Sequence, residues 1–166
     1  MTSSPNLAHP RIGHGFDLHR LVEGRDLVLA NITIPSDHGC DAHSDGDVVF
    51  HALTDAILGA LAQQDIGQLF PDNDPEWKDA DSAVFIREAV SRMTTAGYTL
   101  GNADLTVILQ TPKLSPHKPA MLARLVELLG CDDSQVNLKA KTHERVDALG
   151  QSQAVACHAV VILIPA

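Results

Sequence analysis

The segment that most narrows the possible folds lies near the C-terminus. From Gln153 to Ile164 the chain reads QAVACHAVVILI. In an extended strand, successive side chains point to opposite faces. One face then carries Val155, Cys157, Ala159, Val161 and Leu163, and the other Ala154, Ala156, His158, Val160, Ile162 and Ile164. A strand this apolar on both sides belongs inside a sheet, with helices over one surface. The expected cover for the other surface is a layer supplied by an oligomer partner.

The rest of the chain supplies the elements for such a layer. Strands are expected at Arg11–Leu21 and Leu27–Ile34, joined at the Glu23-Gly24 turn and closed by Pro35. A first helix is expected from Ser44, with Asp47 three residues on resembling a capping box. Its apolar stripe is Val49, Leu53, Ile57 and Leu61. A second helix follows Asp81-Ser82 and stops near Gly97. Between the two lies GQLFPDNDPEWKD, a turn-rich stretch with two prolines. Ala103–Gln110 reads as a strand, Ser115-Pro116 opens a third helix that Gly130 ends, and Val136–Lys141 is a further strand. The fold class expected is α+β (an α/β two-layer arrangement), a four-stranded mixed sheet with helices on one face. At 166 residues the chain fits one domain, residues 11–166, behind a disordered lead of residues 1–10.

Composition narrows the function. Twelve basic against 21 acidic residues give a net charge of −9, the wrong sign for binding nucleic acid or an anionic membrane surface. An anionic ligand stays possible where metal ions supply positive charge locally. Only six residues are aromatic, so Leu, Val, Ile and Ala must build the core. Cys40, Cys131 and Cys157 are widely spaced and form no CxxC pair, as expected in a reducing compartment. The opening MTSSPNLAHP has neither the basic nor the apolar region of a signal peptide, and the apolar run Ala159–Ile164 is too short to span a membrane. The expected location is cytoplasmic, with no nucleic-acid or membrane partner.

The stretch AHSDGDVVFHALTD, Ala42–Asp55, packs two histidines and three aspartates into fourteen residues. Residues four apart share a helix face, so Asp47, His51 and Asp55 line up away from the Val49/Leu53 stripe. Read alone, that is a polar solvent face. A second fragment changes the balance. In Asp17-Leu18-His19, on the first strand, the two outer residues point the same way. Together with His51 they make a set of one carboxylate and two imidazoles. Zinc accepts such a set and keeps a fourth position open for substrate; Fe²⁺ fits it as well. Asp47 and Asp55 are then candidates to orient a ligand histidine or to touch substrate.

Four blocks, RIGHGFDLH, AHSDGDVVFHALTDAILGAL, DIGQLFPDNDP and TPKLSPHKPAM, occur in this order and spacing. They strongly resemble the 2-C-methyl-D-erythritol 2,4-cyclodiphosphate synthase family, over nearly everything from Arg11 onward. The resemblance implies a homotrimer of α/β subunits, with sheets facing the threefold axis and active sites between neighbours. It implies conversion of 4-diphosphocytidyl-2-C-methyl-D-erythritol 2-phosphate into the cyclic diphosphate and CMP, in the non-mevalonate isoprenoid pathway. By position, Asp17, His19 and His51 match ligands of one Zn²⁺ per subunit, and Glu144 a ligand of a second divalent cation, Mg²⁺ or Mn²⁺. His43 and Thr142 match transition-state stabilisers, with Ser44 at the phosphate. Asp65, Gly67, Phe70, Pro71, Asp72, Asn73 and Asp74 match segments lining the methylerythritol and ribose, and Asp55 a carboxylate near the sugar hydroxyls. Leu109, Gln110, Thr111, Pro112, Lys113, Leu114 and Ser115 match the neighbouring subunit's cytidine pocket.

The departures from the family pattern lie in one segment, KAKTHERVDALGQSQA, where K-x-T-T-E and G-R-x-E-G are usual. Lys141 replaces a threonine near the phosphates and could serve as a cationic contact there, beside His143. Ala148 stands for an aromatic and Gln151 for an arginine that the family links to isoprenoid diphosphates in the trimer's central cavity, so no such ligand is expected in this chain. His14, His38, His117 and His158 are assigned no role. Two other classes keep a place: a zinc-dependent phosphoesterase that hydrolyses a nucleotide derivative, and a non-catalytic trimer that binds zinc or nucleotide.

Overall fold

The doubly apolar segment is the middle strand of the sheet. The computed structural model describes residues 9–166, so most of the lead expected over residues 1–10 falls outside the described residues. In chain order the elements are β1 (Arg11–Glu23), β2 (Leu27–Leu29), β3 (Ile32–Ile34), β4 (His38–Cys40), α1 (Val48–Ala60), α2 (Ile66–Leu69), α3 (Ala83–Thr95), β5 (Tyr98–Ile108), α4 (Lys118–Leu129), β6 (Val136–Lys141), α5 (Asp147–Gly150) and β7 (Ala154–Pro165). The sheet order is β4-β1-β7-β5-β6, with β5 and β6 parallel and the other pairs antiparallel. The sheet is mixed, as expected, but has five strands rather than four.

The extra strand and a second difference share one cause. The segment expected as a single strand, Leu27–Ile34, folds back on itself as the hairpin β2–β3. Its turn is Ala30-Asn31, both with positive φ (50° and 59°), as a two-residue hairpin turn requires. Without glycine at the turn, Asn31 is its one local sign, and a weak one. Once the hairpin has turned away, His38–Cys40 is free to pair with the end of β1 as the sheet's edge.

Two helix starts also move. α1 begins at Val48 because Asp47, not Ser44, is its cap. The Asp47 carboxylate accepts from the backbone N–H groups of Val49 and Phe50 (3.0 and 3.2 Å), and also from Ala30 and Asn31 at the hairpin turn (3.0 and 2.7 Å). Its side chain is fully buried, and burial pushes its carboxyl up to about 7 against the pull of the Asn31 and Ala30 N–H groups. Asp47 therefore orients no ligand histidine and faces no solvent; it clamps the hairpin to the helix. α4 begins at Lys118 after a turn at residues 115–117, so the proline in its first turn is Pro119 rather than Pro116. Its end at Gly130, with φ 61°, is as expected.

α1 lies across β1 and β7, flanked by α3 and then α4 over β5 and β6. Val155, Cys157, Ala159, Val161 and Leu163 of β7 are sealed beneath these helices. Because α1 sits between the sheet and α3, it is buried nearly all round rather than along one stripe. Among the described residues, Thr54 Oγ1 on this helix is the buried side-chain polar atom with no hydrogen-bond partner. Replacing Thr54 with valine keeps the shape and removes the unmatched hydroxyl. The variant is expected to gain about 1 kcal/mol in a urea titration.

Among the described residues, the sheet's opposite surface carries no helix apart from the short α5 near Ala154 and Ala156. Ile12, Phe16 and Leu18 of β1 stand there 72%, 47% and 46% exposed, beside Val160 and Ile164 of β7. His14 and His158 meet on the same surface, their ring nitrogens 3.2 Å apart.

Candidate metal centre and substrate cleft

Two glycines bring the candidate ligands together. Gly13, Gly15, Asp17 and His19 alternate along β1 on the face that meets α1. A Cβ at Gly13 would sit 1.8 Å from the Ala56 carbonyl oxygen, and one at Gly15 1.9 Å from that of Ala52. The helix backbone thus rests directly on the strand backbone, which only glycine permits. One turn further along, the same contact brings His51 down beside Asp17. His51 Nδ1 lies 2.9 Å from Asp17 Oδ2, His19 Nε2 lies 3.2 Å from the same oxygen, and the two ring nitrogens are 3.2 Å apart. One donor atom from each residue lies within 4.8 Å of the others, a group able to hold a divalent metal.

The local electrostatics suit this. Burial would raise the Asp17 carboxyl, but hydrogen bonds from His19 and His51 hold it well below the usual carboxylate range. Burial lowers His51, yet the hydrogen bond and charge of Asp17 outweigh it and leave His51 raised. The other ring nitrogen of His51, Nε2, lies 2.9 Å from Ser82 Oγ and 3.3 Å from Ser44 Oγ.

The group opens into a cleft of about 590 Å³, in the range for small-molecule sites. His43, Ser44, Gly67, Phe70 and Asp72, all singled out in the sequence, line it. Others frame it. Asp55 accepts from Ile66 N (2.8 Å), which ties α2 to α1, and Asp65 caps α2 by accepting from Gln68 N (2.9 Å); Asp74 accepts from Glu76 N (3.0 Å). Burial raises the Asp55 carboxyl. Pro71 and Asn73 sit in the same loop. Sequence reasoning misses the aromatic wall: the Phe85 ring of α3 lies tilted, 5.7 Å from His51 and 4.5 Å from Phe70, and Trp77 meets Phe70 edge-on at 5.0 Å. A tryptophan in a turn-rich loop is the available sign, since such a residue is more often placed in a core or at a binding surface.

The second half of the expected site lies elsewhere. Lys141, Ile108, Ala156 and Leu18 are consecutive neighbours across β6, β5, β7 and β1. Lys141 is therefore three strand spacings, about 14 Å, from the β1 row that carries the candidate ligands. Thr142, His143 and Glu144 follow it off the sheet, with Thr142 Oγ1 donating to Glu144 Oε1 (3.2 Å). Thr111 Oγ1 pairs with Ser152 Oγ (3.1 Å), Gln110 accepts from Arg145 N (3.3 Å), and Pro112, Lys113 and Ser115 continue the loop. Leu109 and Leu114 are buried in the core, so only their backbones could meet a ligand. None of these residues lines the cleft. A larger cavity, about 910 Å³, includes Leu18, Arg20, His38, Thr111, Ala148 and Gln151 and none of Asp17, His19 and His51.

Fold and site together define a two-layer α+β protein with, among the described residues, one candidate metal centre at the mouth of a cleft. The YgbB family model matches residues 10–164. A chloroplastic 2-C-methyl-D-erythritol 2,4-cyclodiphosphate synthase from Oryza sativa subsp. japonica is 62% identical over 93% of this chain, which spans 69% of that protein. The synthase of that name from Proteus mirabilis is 50% identical, over 93% of this chain and 96% of its own length. Among solved structures, the CDP complex of IspF from Plasmodium falciparum superposes with a TM-score of 0.84 at 38% identity, covering 95% of this chain and 97% of that one. The chain belongs to the YgbB family, the 2-C-methyl-D-erythritol 2,4-cyclodiphosphate synthases, and is a cyclising lyase of the non-mevalonate isoprenoid pathway. Among the described residues no helix is long and apolar enough to cross a membrane.

Proposed function

We propose that this chain converts 4-diphosphocytidyl-2-C-methyl-D-erythritol 2-phosphate into 2-C-methyl-D-erythritol 2,4-cyclodiphosphate and CMP, with Asp17, His19 and His51 holding a zinc ion. The observation that carries the reading is the convergence of those three donors, 2.9–3.2 Å apart, at the edge of the cleft. Tetrahedral bonds of about 2.0–2.1 Å place ligand atoms roughly 3.3 Å from one another, so the donor set fits zinc closely. Bound there, zinc would supply Lewis-acid polarisation and orientation of the β-phosphate.

The chain's own residues then have a positioning task. The 2-phosphate is anionic at neutral pH and needs no general base. Its oxygen forms the new bond to the β-phosphorus as the bond to the CMP oxygen breaks, in line, so bringing two anions together is the main obstacle. His43 and Ser44 at the cleft edge would donate hydrogen bonds to the β-phosphate. Gly67, Phe70 and Asp72 would wall the methylerythritol, with Asp55, Asp65, Pro71, Asn73 and Asp74 holding that wall. Thr142 would donate to charge developing on the reacting phosphates, with Lys141 and His143 as cationic neighbours. Glu144 would hold Mg²⁺ or Mn²⁺ near the nucleotide phosphates, where such an ion would offset their negative charge. Leu109–Ser115 would take the cytidine.

The two halves are three strands apart in one chain, which supports a site assembled between subunits of a homotrimer. The exposed apolar surface around Ile12, Phe16 and Leu18 supports copies packing sheet to sheet, out of water. A mixing experiment checks this: His51→Ala and Glu144→Ala, each inactive alone, should regain part of the activity when co-refolded, because some sites then draw both intact halves from different chains.

The test of the activity is ³¹P NMR with zinc, Mg²⁺ and the substrate. The expected products are CMP and a coupled pair of cyclic diphosphate signals. CMP with two uncoupled monophosphate signals, one from C2 and one from C4, would mean hydrolysis, and an unchanged spectrum would mean a binding protein; either would overturn the reading.

A further inference from the structure

Ser82 stands at the N-cap of α3, where a serine side chain ordinarily accepts from a free helix N–H. In this helix it makes no such bond; Asp81 Oδ1 accepts from Ala83 N instead, at 2.8 Å. Ser82 is fully buried, and its hydroxyl donates to Asp45 Oδ1 in a short hydrogen bond, while its backbone N–H donates to Asp45 Oδ2 at 3.0 Å. An ionised carboxylate has no hydrogen to give. The Ser82 hydrogen is therefore committed to Asp45, and its lone pairs face His51 Nε2 at 2.9 Å. Ser44 is the weaker partner of that nitrogen, at 3.3 Å, and its Oγ also accepts from Gly46 N within its own turn.

We propose that Asp45 and Ser82 are positioning residues for the metal ligand His51. The relay Asp45···Ser82···His51 holds the proton on Nε2, so that the Nδ1 side of the ring, which faces Asp17 and His19, is the side left to give its lone pair to a metal ion in place of its hydrogen bond to Asp17. Ligand histidines commonly donate their other N–H to an acceptor that fixes tautomer and ring orientation. In this centre a serine carries that connection from a carboxylate on the loop before α1 to the imidazole. A role confined to α3 does not explain the contact, since the hydroxyl caps nothing in that helix. The assignment rests on the reading of Asp17, His19 and His51 as a zinc centre.

The experiment titrates the metal-free protein with Zn²⁺ against a chromophoric chelator and reads the ¹⁵N shifts of the His51 ring. Ser82→Ala removes the relay without removing a helix cap. Asp45→Asn keeps the shape but can turn its amide donor toward Ser82, which reverses the relay and favours the proton on Nδ1. Both variants should bind zinc about 10–100-fold more weakly, with metal-free melting near the parent and a His51 tautomer no longer held as Nε2–H. Parental zinc affinity and tautomer in Ser82→Ala, with zinc binding lost in His51→Ala, would overturn the relay alone. Parental zinc binding in His51→Ala would overturn the metal centre and the relay with it. Should Ser82→Ala not fold, Asp45→Asn decides by the same readings.

Discussion

His51→Ala should lose at least about 10³-fold in kcat/KM, equivalent to roughly 4 kcal/mol of transition-state stabilisation. In the proposed zinc centre the histidine would be the one ligand contributed by a helix; without it Asp17 and His19 are left as a two-residue pair on a single strand, one donor short of the three that a catalytic zinc usually takes from the protein. The fold should suffer far less. The His51 side chain bonds Asp17 and lies near Ser82 and Ser44, and removing it should cost about 1–2 kcal/mol. Steady-state kinetics, zinc content by elemental analysis and a urea titration on one preparation separate the two effects. Activity within tenfold of the parent, with zinc still bound, would sink the assignment of the centre.

Gly15→Ala should be severely destabilising. The added Cβ would meet the Ala52 carbonyl oxygen at 1.9 Å, with the Ala56 nitrogen at 2.8 Å, and both are backbone atoms of α1. No rotamer change relieves that contact, so β1 and α1 must separate. Displacing a helix that touches both β1 and β7 should cost about 4 kcal/mol or more, a large part of the stability of an ordinary domain. The same movement would draw His51 away from Asp17, so whatever protein remains folded should bind zinc poorly. Gly24→Ala is the control. Its φ of 77° disfavours alanine, but nothing lies within 4 Å of the added atom, and about 1 kcal/mol is expected. Equal denaturant midpoints for the two variants would show that close approach of helix and strand is not what holds the centre together.

Much of the site is legible in the sequence alone, and the reason is physical. Asp17 and His19 are two apart on a strand, and period-two alternation places them on one side without any tertiary information. His43, Ser44, Gly67, Phe70 and Asp72 lie in contiguous blocks whose order matches a known family, and all five line one cleft. What cannot be read is each group's partner. By spacing, Asp47 is a companion of His51 on a polar face, yet it is buried as the clamp between α1 and the β2–β3 turn, because that turn has two free N–H groups needing an acceptor. By position, Ser82 is a helix cap, and its hydroxyl is instead turned to Asp45 and His51.

By itself, then, the sequence determined the local and periodic features: an α+β chain, a final strand apolar on both faces, a helix stop at Gly130 and a strand at Val136–Lys141 that the structure reproduces residue for residue. These follow from φ preferences and side-chain alternation within a few residues. Only the tertiary structure decided that the hairpin β2–β3 replaces a long strand and that a fifth strand closes the edge. It also decided that α1 is buried on nearly every side, and that the second half of the expected site stands three strands from the first. Those outcomes depend on which backbones can approach one another, as at Gly13 and Gly15, and on which distant N–H group finds which carboxylate. Both are contests between residues far apart in the chain, and no local pattern records who wins them.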